Sequence, residues 1–174
     1  MIEWFNNDKL SIFFSETPHV CVRYVLPTAT EQEKKSIKKY PFINKKAFDV
    51  KLFDKVKERS YGFTIPKGYC YDGASIPRIF WRLIGSNTDN EFLIPALIHD
   101  YLCEHHHLIM NDREFSTTIF NALLEVSEVG KFKRWLMRTS VNIFQKYFCD
   151  WGLEWGKWHL IDVNTKSYNW LHQW

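Results

Sequence analysis

The first quarter of the chain alternates short runs of β-branched and aromatic residues with polar turns, a pattern typical of strands. Two such runs cover residues 10–14 and 19–26, and Ser15–Pro18 between them predicts a hairpin turn. In the second run, alternation places three side chains on one face of the predicted strand: Val20, Val22 and Tyr24.

Residues 47–54 and 60–71 carry the same strand pattern, and a turn signal at Pro66–Gly68 interrupts the second run. The segment 28–46 between the runs is different. Thr30 and Glu33 have the spacing of a helix capping box, and lysines are frequent after them. We therefore predict a small antiparallel sheet with a solvated insertion, a short helix plus loop. Nucleic-acid contact is the alternative interpretation of the lysines.

From about residue 72 the apolar period becomes helical. Ser75 is a typical N-terminal cap and Gly85 a typical C-terminal end of a first predicted helix. Three longer helices are predicted over about 90–107, 111–130 and 131–148. The resulting fold class is α+β, an N-terminal antiparallel β-sheet packed against a C-terminal bundle of three to four helices. The tail 149–174 has no clean period and is expected to cover these helices.

The length of 174 residues predicts one domain. The net charge of the chain is +3. This charge is too small to favour a nucleic-acid-binding protein, and no apolar run is long enough to span a membrane. The four cysteines form no CxxC pair, and the N-terminus does not resemble a secretory signal. We expect an intracellular protein.

The candidate chemistry centres on His99 and Asp100, which lie in the middle of an apolar predicted helix. His99 shares a helix face with apolar residues and a thiol: Phe92, Ala96, Cys103 and His106. A buried carboxylate needs a cation or several donors. One hypothesis has Asp72 and Asp100 binding a divalent cation, Ca²⁺, Mg²⁺, Mn²⁺ or Zn²⁺, while His99 acts as general base.

The alternative hypothesis makes the same residues a structural network. Asp100 then accepts hydrogen bonds from the loop 72–75 or pairs with Arg78, and His99 donates to a carbonyl group in the core. Both interpretations place Ser75, Arg78 and Tyr101 at the edge of the site as binding residues.

Two other clusters are weaker candidates. The first comprises side chains of one predicted helix that could bind zinc, for which a polar helix end is the favoured alternative: His99, Cys103, His105, His106 and His107. The second is the basic face of the helix 131–148: Lys131, Lys133, Arg134 and Arg138. Its predicted buried stripe is Phe132, Trp135, Leu136, Thr139 and Ile143. A solvated basic face is favoured there over contact with phosphates or a membrane surface.

The run Tyr71–Arg78, followed by Phe80-Trp81 and then Ala96–Leu102, resembles the signature of the domain of unknown function 1353 family. The resemblance covers about residues 60–148 and implies a phage or prophage context. It thereby implies a protein located in a host cytoplasm or in a virion. Arg113 and Phe120 fit the family pattern, whereas Ser116-Thr117 stands where the family carries Ala-Asp.

The His-Asp pair behind a Tyr-x-Gly loop is also similar to phospholipase A2 enzymes. That similarity implies a water-activating His and a calcium-binding Asp. It is local, because the second loop Gly and the disulfide framework of those enzymes are missing.

Two functions therefore remain open. The first is a metal-assisted hydrolase acting on an ester or amide of the cell envelope through His99, Asp100 and Asp72. The second is a non-catalytic phage accessory or virion component that contacts other phage or host proteins. Five of the eight tryptophans lie in the tail 149–174 and would serve as its partner surface.

Overall fold

The computed structural model describes residues 1–73, 90–106 and 113–148. Seven strands lie in this part of the chain: β1 (Ile2–Asn6), β2 (Leu10–Phe14), β3 (Val20–Val22), β4 (Phe42–Asn44), β5 (Phe48–Asp54), β6 (Arg59–Ile65) and β7 (Cys70–Tyr71). The described helices are α1 (Glu31–Lys39), α2 (Asn90–Glu104), α3 (Arg113–Val126) and α4 (Lys131–Phe148). This arrangement confirms the predicted α+β class.

The larger sheet is antiparallel, with four strands in the order β1-β2-β5-β6. Along β5 every second residue is buried: Phe48, Val50, Leu52 and Asp54. Because successive side chains of a strand point to opposite faces, this alternation buries one face of the sheet. Each large apolar side chain buried there contributes about 1.5–3 kcal/mol to stability.

The smaller sheet has three antiparallel strands in the order β3-β4-β7. The two-residue strand β7 pairs with β4, placing Tyr71 opposite Phe42 and Cys70 opposite Ile43. The side-chain amide of Asn44, at the end of β4, donates a 3.0 Å hydrogen bond to the Pro66 carbonyl and fixes the turn that precedes β7. The smaller sheet therefore determines where the chain leaves β7.

Aromatic pairs join the larger sheet to the helices. Tyr61 on β6 packs against Phe115 on α3 with ring centroids 4.6 Å apart. Phe63 on β6 stacks on Tyr101 of α2 at 5.3 Å. Helix α4 lies against α3, where Leu136, Met137 and Val141 are buried. No helix in the described ranges is both long and apolar enough to cross a lipid bilayer.

The predicted hairpin between residues 10–14 and 19–26 is wrong. Strand β2 pairs with β1 and β5, whereas β3 belongs to the other sheet. The Ser15 hydroxyl accepts a 2.8 Å hydrogen bond from the Asp49 backbone N–H, so the chain after β2 stays beside β5 instead of turning back. Of the three side chains predicted on one face of the second run, Val20 packs against the core, whereas Val22 is 44% exposed and Tyr24 is 79% exposed.

The lysine-rich segment contains the predicted short helix. Thr30 and Glu33 form the capping box at the start of α1, and no residue of this helix is buried. The structure differs from the prediction after the helix, because residues 42–44 form β4 instead of a loop and Phe42 is fully buried.

Helix α4 has the predicted length, but of its predicted apolar stripe only Leu136 is buried. Phe132 is 62% exposed, Trp135 is 60% exposed and Ile143 is 52% exposed. The buried positions follow a different line along the helix: Leu136, Met137, Ser140, Val141 and Gln145. Polar Ser140 and Gln145 lie on this line, so an assignment by hydrophobicity alone rotates the helix incorrectly.

Several predictions lie outside the described residues. They are the helix between Ser75 and Gly85, the roles of Ser75 and Arg78, the participation of His107, the helix start at residues 111–112 and the aromatic tail 149–174.

Candidate functional site

Helix α2 carries the predicted His-Asp dipeptide through the middle of the molecule. Its central apolar residues are buried almost completely: Ala96, Leu97, Ile98 and Leu102. A helix that buries side chains in several directions has no polar face on which to place His99 and Asp100. Both must therefore find partners inside the protein.

Asp100 meets Asp72, which directly follows β7. The two side chains lie within hydrogen-bonding distance of each other, and we call them the acid pair. Gly73 follows with a φ of 88°, a conformation that glycine adopts without strain, and this turn holds Asp72 at the end of the strand.

Burial raises the pKa of Asp100 well above its usual range, and the charges of Asp72 and Glu104 raise it further. Burial also raises the pKa of Asp72, but its hydrogen bond with Asp100 acts in the opposite direction. Asp72 is exposed, whereas the Asp100 side chain is only 17% exposed. Burial therefore raises the pKa of Asp100 more than that of Asp72. Asp100 is therefore the member of the acid pair that retains a proton.

The acid pair lacks a cation among the described residues. The Oδ2 atom of Asp100 is buried and has no hydrogen-bond partner there. Its Oδ1 atom lies 3.6 Å from Nδ1 of His99, longer than a normal hydrogen bond. A buried carboxyl oxygen without a partner is uncommon in folded proteins and costs about 1–3 kcal/mol.

Two tyrosines hold the smaller sheet against α2 on either side of Asp100. The Tyr71 hydroxyl donates a 2.9 Å hydrogen bond to the Leu93 carbonyl, and the Tyr69 hydroxyl donates a 2.6 Å hydrogen bond to Glu104 Oε2. Burial raises the pKa of both phenols, so both remain hydrogen-bond donors at neutral pH. These contacts fix the distance between β7 and α2, and with it the acid pair.

The His99 ring lies between Asp100 and α4, with its Nε2 edge toward α4. The Gln145 side-chain amide nitrogen lies 2.8 Å from His99 Nε2 and 3.1 Å from Cys103 Sγ. Because that amide donates, Nε2 must accept and the imidazole proton resides on Nδ1, the atom nearer Asp100. Burial lowers the pKa of His99 to about 4, so the ring is neutral at pH 7.

The hydrogen bonds continue from Gln145 into α3. Its Oε1 atom lies 3.2 Å from the Thr117 hydroxyl, which also lies 3.3 Å from Asn142 Oδ1. We call His99, Gln145, Thr117 and Asn142 the polar network. The resemblance described above implies an acid at position 117, and here the uncharged hydroxyl of Thr117 lies between α3 and α4.

The structure thus brings Asp72 and Asp100 together and places His99 beside them with its Nε2 already occupied. Tyr101 lies on a different side of α2, where its hydroxyl donates a 3.0 Å hydrogen bond to the Thr64 carbonyl. Three participants were missing from the sequence prediction: Tyr69, Glu104 and Gln145. Glu104 could have been found, since it lies four residues after Asp100 on the same helix face. Gln145 has no comparable signal.

The residues proposed for zinc have other contacts. His105 stacks on Tyr101 at 4.1 Å, and His106 Nδ1 lies 3.0 Å from the Cys103 carbonyl. Within residues 1–73, 90–106 and 113–148, no three His, Cys, Asp or Glu side chains are close enough to hold a metal ion together. Any cation at the acid pair would therefore take two described carboxylates, and water or other groups would complete its coordination.

The basic face of α4 is partly paired with acids. Lys133 lies 3.4 Å from Glu91 on α2, and Arg134 lies 2.5 Å from Glu125 on α3. These ion pairs connect α4 to its neighbours, so half of the predicted basic face contributes to helix packing.

The sequence matches the family described as "Protein of unknown function (DUF1353)" over residues 49–141, more than half of the chain. The chain belongs to this family. The DUF1353 region runs from β5 into α4 and contains both members of the acid pair. Gln145 lies beyond its C-terminal limit, as β4 lies before its N-terminal limit.

The uncharacterized protein y4jT of Sinorhizobium fredii (strain NBRC 101917 / NGR234) is 48% identical to this DUF1353 protein over 40 residues. The match covers 23% of this chain and 12% of the relative, so the chain spans a small part of that relative's length. No solved structure matches the chain.

Proposed function

We propose that this DUF1353 protein is a small hydrolase that binds a hard divalent cation between Asp72 and Asp100 and cleaves an ester or amide bond. The observation that supports this proposal is the contact between two carboxyl groups, one of which has a buried oxygen without a described partner. Two carboxylates at this distance repel unless a proton or a cation lies between them. Mg²⁺ commonly binds one or two carboxylates and retains several waters.

In this proposal Asp72 and Asp100 would hold the cation as two carboxylates, with the proton of Asp100 lost to solvent. The chemistry that the cation supplies is a bound water of lowered pKa, the nucleophile for hydrolysis. Asp72 is the more exposed of the two carboxyl groups, and in this proposal a substrate would approach the cation from its side.

We assign His99 a positioning role in this mechanism. Its Nε2 accepts from Gln145, and its Nδ1–H faces Asp100 Oδ1 at 3.6 Å. With a pKa near 4, the ring is a weak base at neutral pH. The general-base role expected from the sequence stays a prediction, and it requires Nε2 to separate from Gln145.

Calorimetric titration with Mg²⁺, Ca²⁺, Mn²⁺ and Zn²⁺ tests the cation directly. We expect saturable binding of at least one cation to the wild type and at least a tenfold loss of affinity in Asp100→Asn. Glu91→Gln is the matched control, because Glu91 lies on the same helix and pairs with Lys133 instead. Absence of binding in the wild type, or equal binding in Asp100→Asn, would contradict the proposal.

Hydrolysis is tested separately with chromogenic ester and amide substrates, with and without a chelator. Turnover that requires the cation and disappears in Asp72→Asn supports the proposed reaction. Cation binding without turnover of any substrate would support the proposed cation site and contradict the proposed hydrolase activity.

The polar network favours a second candidate, a non-catalytic phage accessory or virion component that binds other phage or host proteins. Its hydrogen bonds join three helices, as expected of residues that maintain a fold. This candidate predicts no cation binding and no turnover, together with a marked fall in Tm in His99→Ala. A Tm unchanged within about one degree would count against it.

A further inference from the structure

A polar groove of about 350 Å³ lies between α3 and α4. Neither of these helices carries a member of the acid pair. It is lined by Arg113, Glu114, Thr117, Thr118, Arg138 and Asn142. The volume is near the lower end of the range for small-molecule sites, and the lining contains two guanidinium groups.

Arg113 on α3 and Arg138 on α4 differ from two other cations of α4, Lys133 and Arg134. Lys133 and Arg134 pair with carboxylates, whereas neither Arg113 nor Arg138 forms an ion pair with any described residue. Arg113 also occupies the first position of α3, where the partial positive charge of the helix end repels a cation. This placement has an electrostatic cost that a bound anion would relieve.

Some hydrogen-bonding groups of the groove already have partners within the protein. The Asn142 carbonyl oxygen faces inward, 3.4 Å from Arg113 Nη1 and 3.3 Å from the Thr117 hydroxyl. Its amide nitrogen makes no hydrogen bond among the described residues and remains a donor. The Thr118 hydroxyl already donates 2.8 Å to the Glu114 carbonyl. The donors left for a ligand are therefore two guanidinium groups and one amide.

We propose that this groove binds a small oxyanion, a phosphate or carboxylate group, between Arg113 and Arg138 with the Asn142 amide as a third donor. Guanidinium groups retain their charge at physiological pH and match both kinds of oxyanion with paired N–H donors. Glu114 is the acid at the edge of the groove and opposes the bound charge. The site does not depend on cation binding at the acid pair.

Calorimetry at constant ionic strength with inorganic phosphate and, separately, with succinate tests the groove. We expect saturable binding of at least one of these probes, and the two titrations show whether phosphate or carboxylate is preferred. Arg138→Gln should weaken that binding at least tenfold, whereas Glu114→Gln should strengthen it because an opposing charge is removed.

Arg134→Gln is the matched control, since Arg134 lies on the same helix outside the groove and pairs with Glu125. Its affinity for the probe should remain within twofold of the wild type. Absence of binding by both probes, or an equal loss of affinity in Arg138→Gln and Arg134→Gln, would overturn the proposal.

Discussion

His99 and Asp100 are neighbours in α2, yet they face two different environments. On the His99 side, both the oxygen and the nitrogen of the Gln145 amide have partners, and the ring is neutral. On the Asp100 side, two carboxyl groups meet and one buried oxygen has no described partner. Among the described residues, the Gln145 amide thus has partners at both of its polar atoms, whereas one carboxyl oxygen of Asp100 has none.

This difference separates a structural role from a binding role. Polar groups that hold elements together are normally hydrogen-bonded, because an unpaired buried group costs free energy. Groups that bind a ligand remain incomplete until it arrives. The polar network fits the first description and the acid pair fits the second.

The largest expected effect is the loss of His99. We expect His99→Ala to lower the free energy of unfolding by about 3 kcal/mol, because it leaves a cavity and deprives the Gln145 amide of its acceptor. Urea denaturation monitored by tryptophan fluorescence measures this change. His19→Ala, at an exposed position, should change stability by less than about 0.5 kcal/mol. A loss below about 1 kcal/mol in His99→Ala would contradict the structural role of the polar network, and with it the contrast to the acid pair.

Stability should depend on pH with opposite signs for the two residues. The folded pKa of His99 is about 4 against an ordinary value of 6.5, so between these values the unfolded chain binds the extra proton. Its contribution to stability therefore rises with pH over that range, by about 3 kcal/mol. The folded pKa of Asp100 is raised, so its contribution is full below about pH 4 and declines as pH rises.

Two variants separate these trends. Between pH 4 and 6.5, the stability of Asp100→Asn relative to the wild type should rise with pH, and that of His99→Gln should fall. Denaturation curves at several pH values give both slopes, and other titrating groups cancel in the comparison. Slopes of the same sign would contradict the assigned protonation states.

A smaller effect of opposite sign is expected for the acid pair. Asp100→Asn replaces a buried carboxyl group, which must hold a proton to lie beside Asp72, with a neutral amide that donates toward Asp72. We expect the free energy of unfolding at pH 8, without added cations, to increase by about 1 kcal/mol. Thermal denaturation measures the change, with Glu91→Gln as control. Destabilisation comparable to that of His99→Ala would identify the acid pair as part of the structural core.

The smallest expected effect lies at the far end of the polar network. Thr117→Val removes the hydroxyl group near Gln145 Oε1 and should lower the free energy of unfolding by about 1 kcal/mol. Thr118→Val is its exposed neighbour and should cost less than about 0.5 kcal/mol. Equal effects at both positions would mean that the network ends at Gln145.

Much of the fold could be predicted from local patterns. Strand β5 alternates strictly, and the capping box of α1 is a local signal. The pairing of strands could not be predicted this way, because it depends on contacts distant in sequence, such as Ser15 with Asp49. The rotation of α4 was missed because Gln145 is buried through hydrogen bonds that hydrophobicity does not reveal.

For the candidate site, Asp72 and Asp100 were predicted together, because an acid in a buried helix requires a partner. Their contact across 28 positions required the structure, as did the orientation of His99. Because Asp100 is its neighbour in sequence, His99 was predicted to act as a base toward a water molecule. In the structure Gln145, which is distant in sequence, determines which ring nitrogen of His99 carries the proton. The sequence identified the residue types but not the direction of the imidazole.

The position of Asp72 in the candidate site depends on strand β4, which lies outside the region that the family match covers. Asp72 follows β7, whose described strand partner is β4, and β4 lies before residue 49, where the family match begins. The matched region therefore carries both acids of the pair but not the strand that aligns them. A protein can share every acid of this site and still position them differently, if its preceding segment supplies another support for β7.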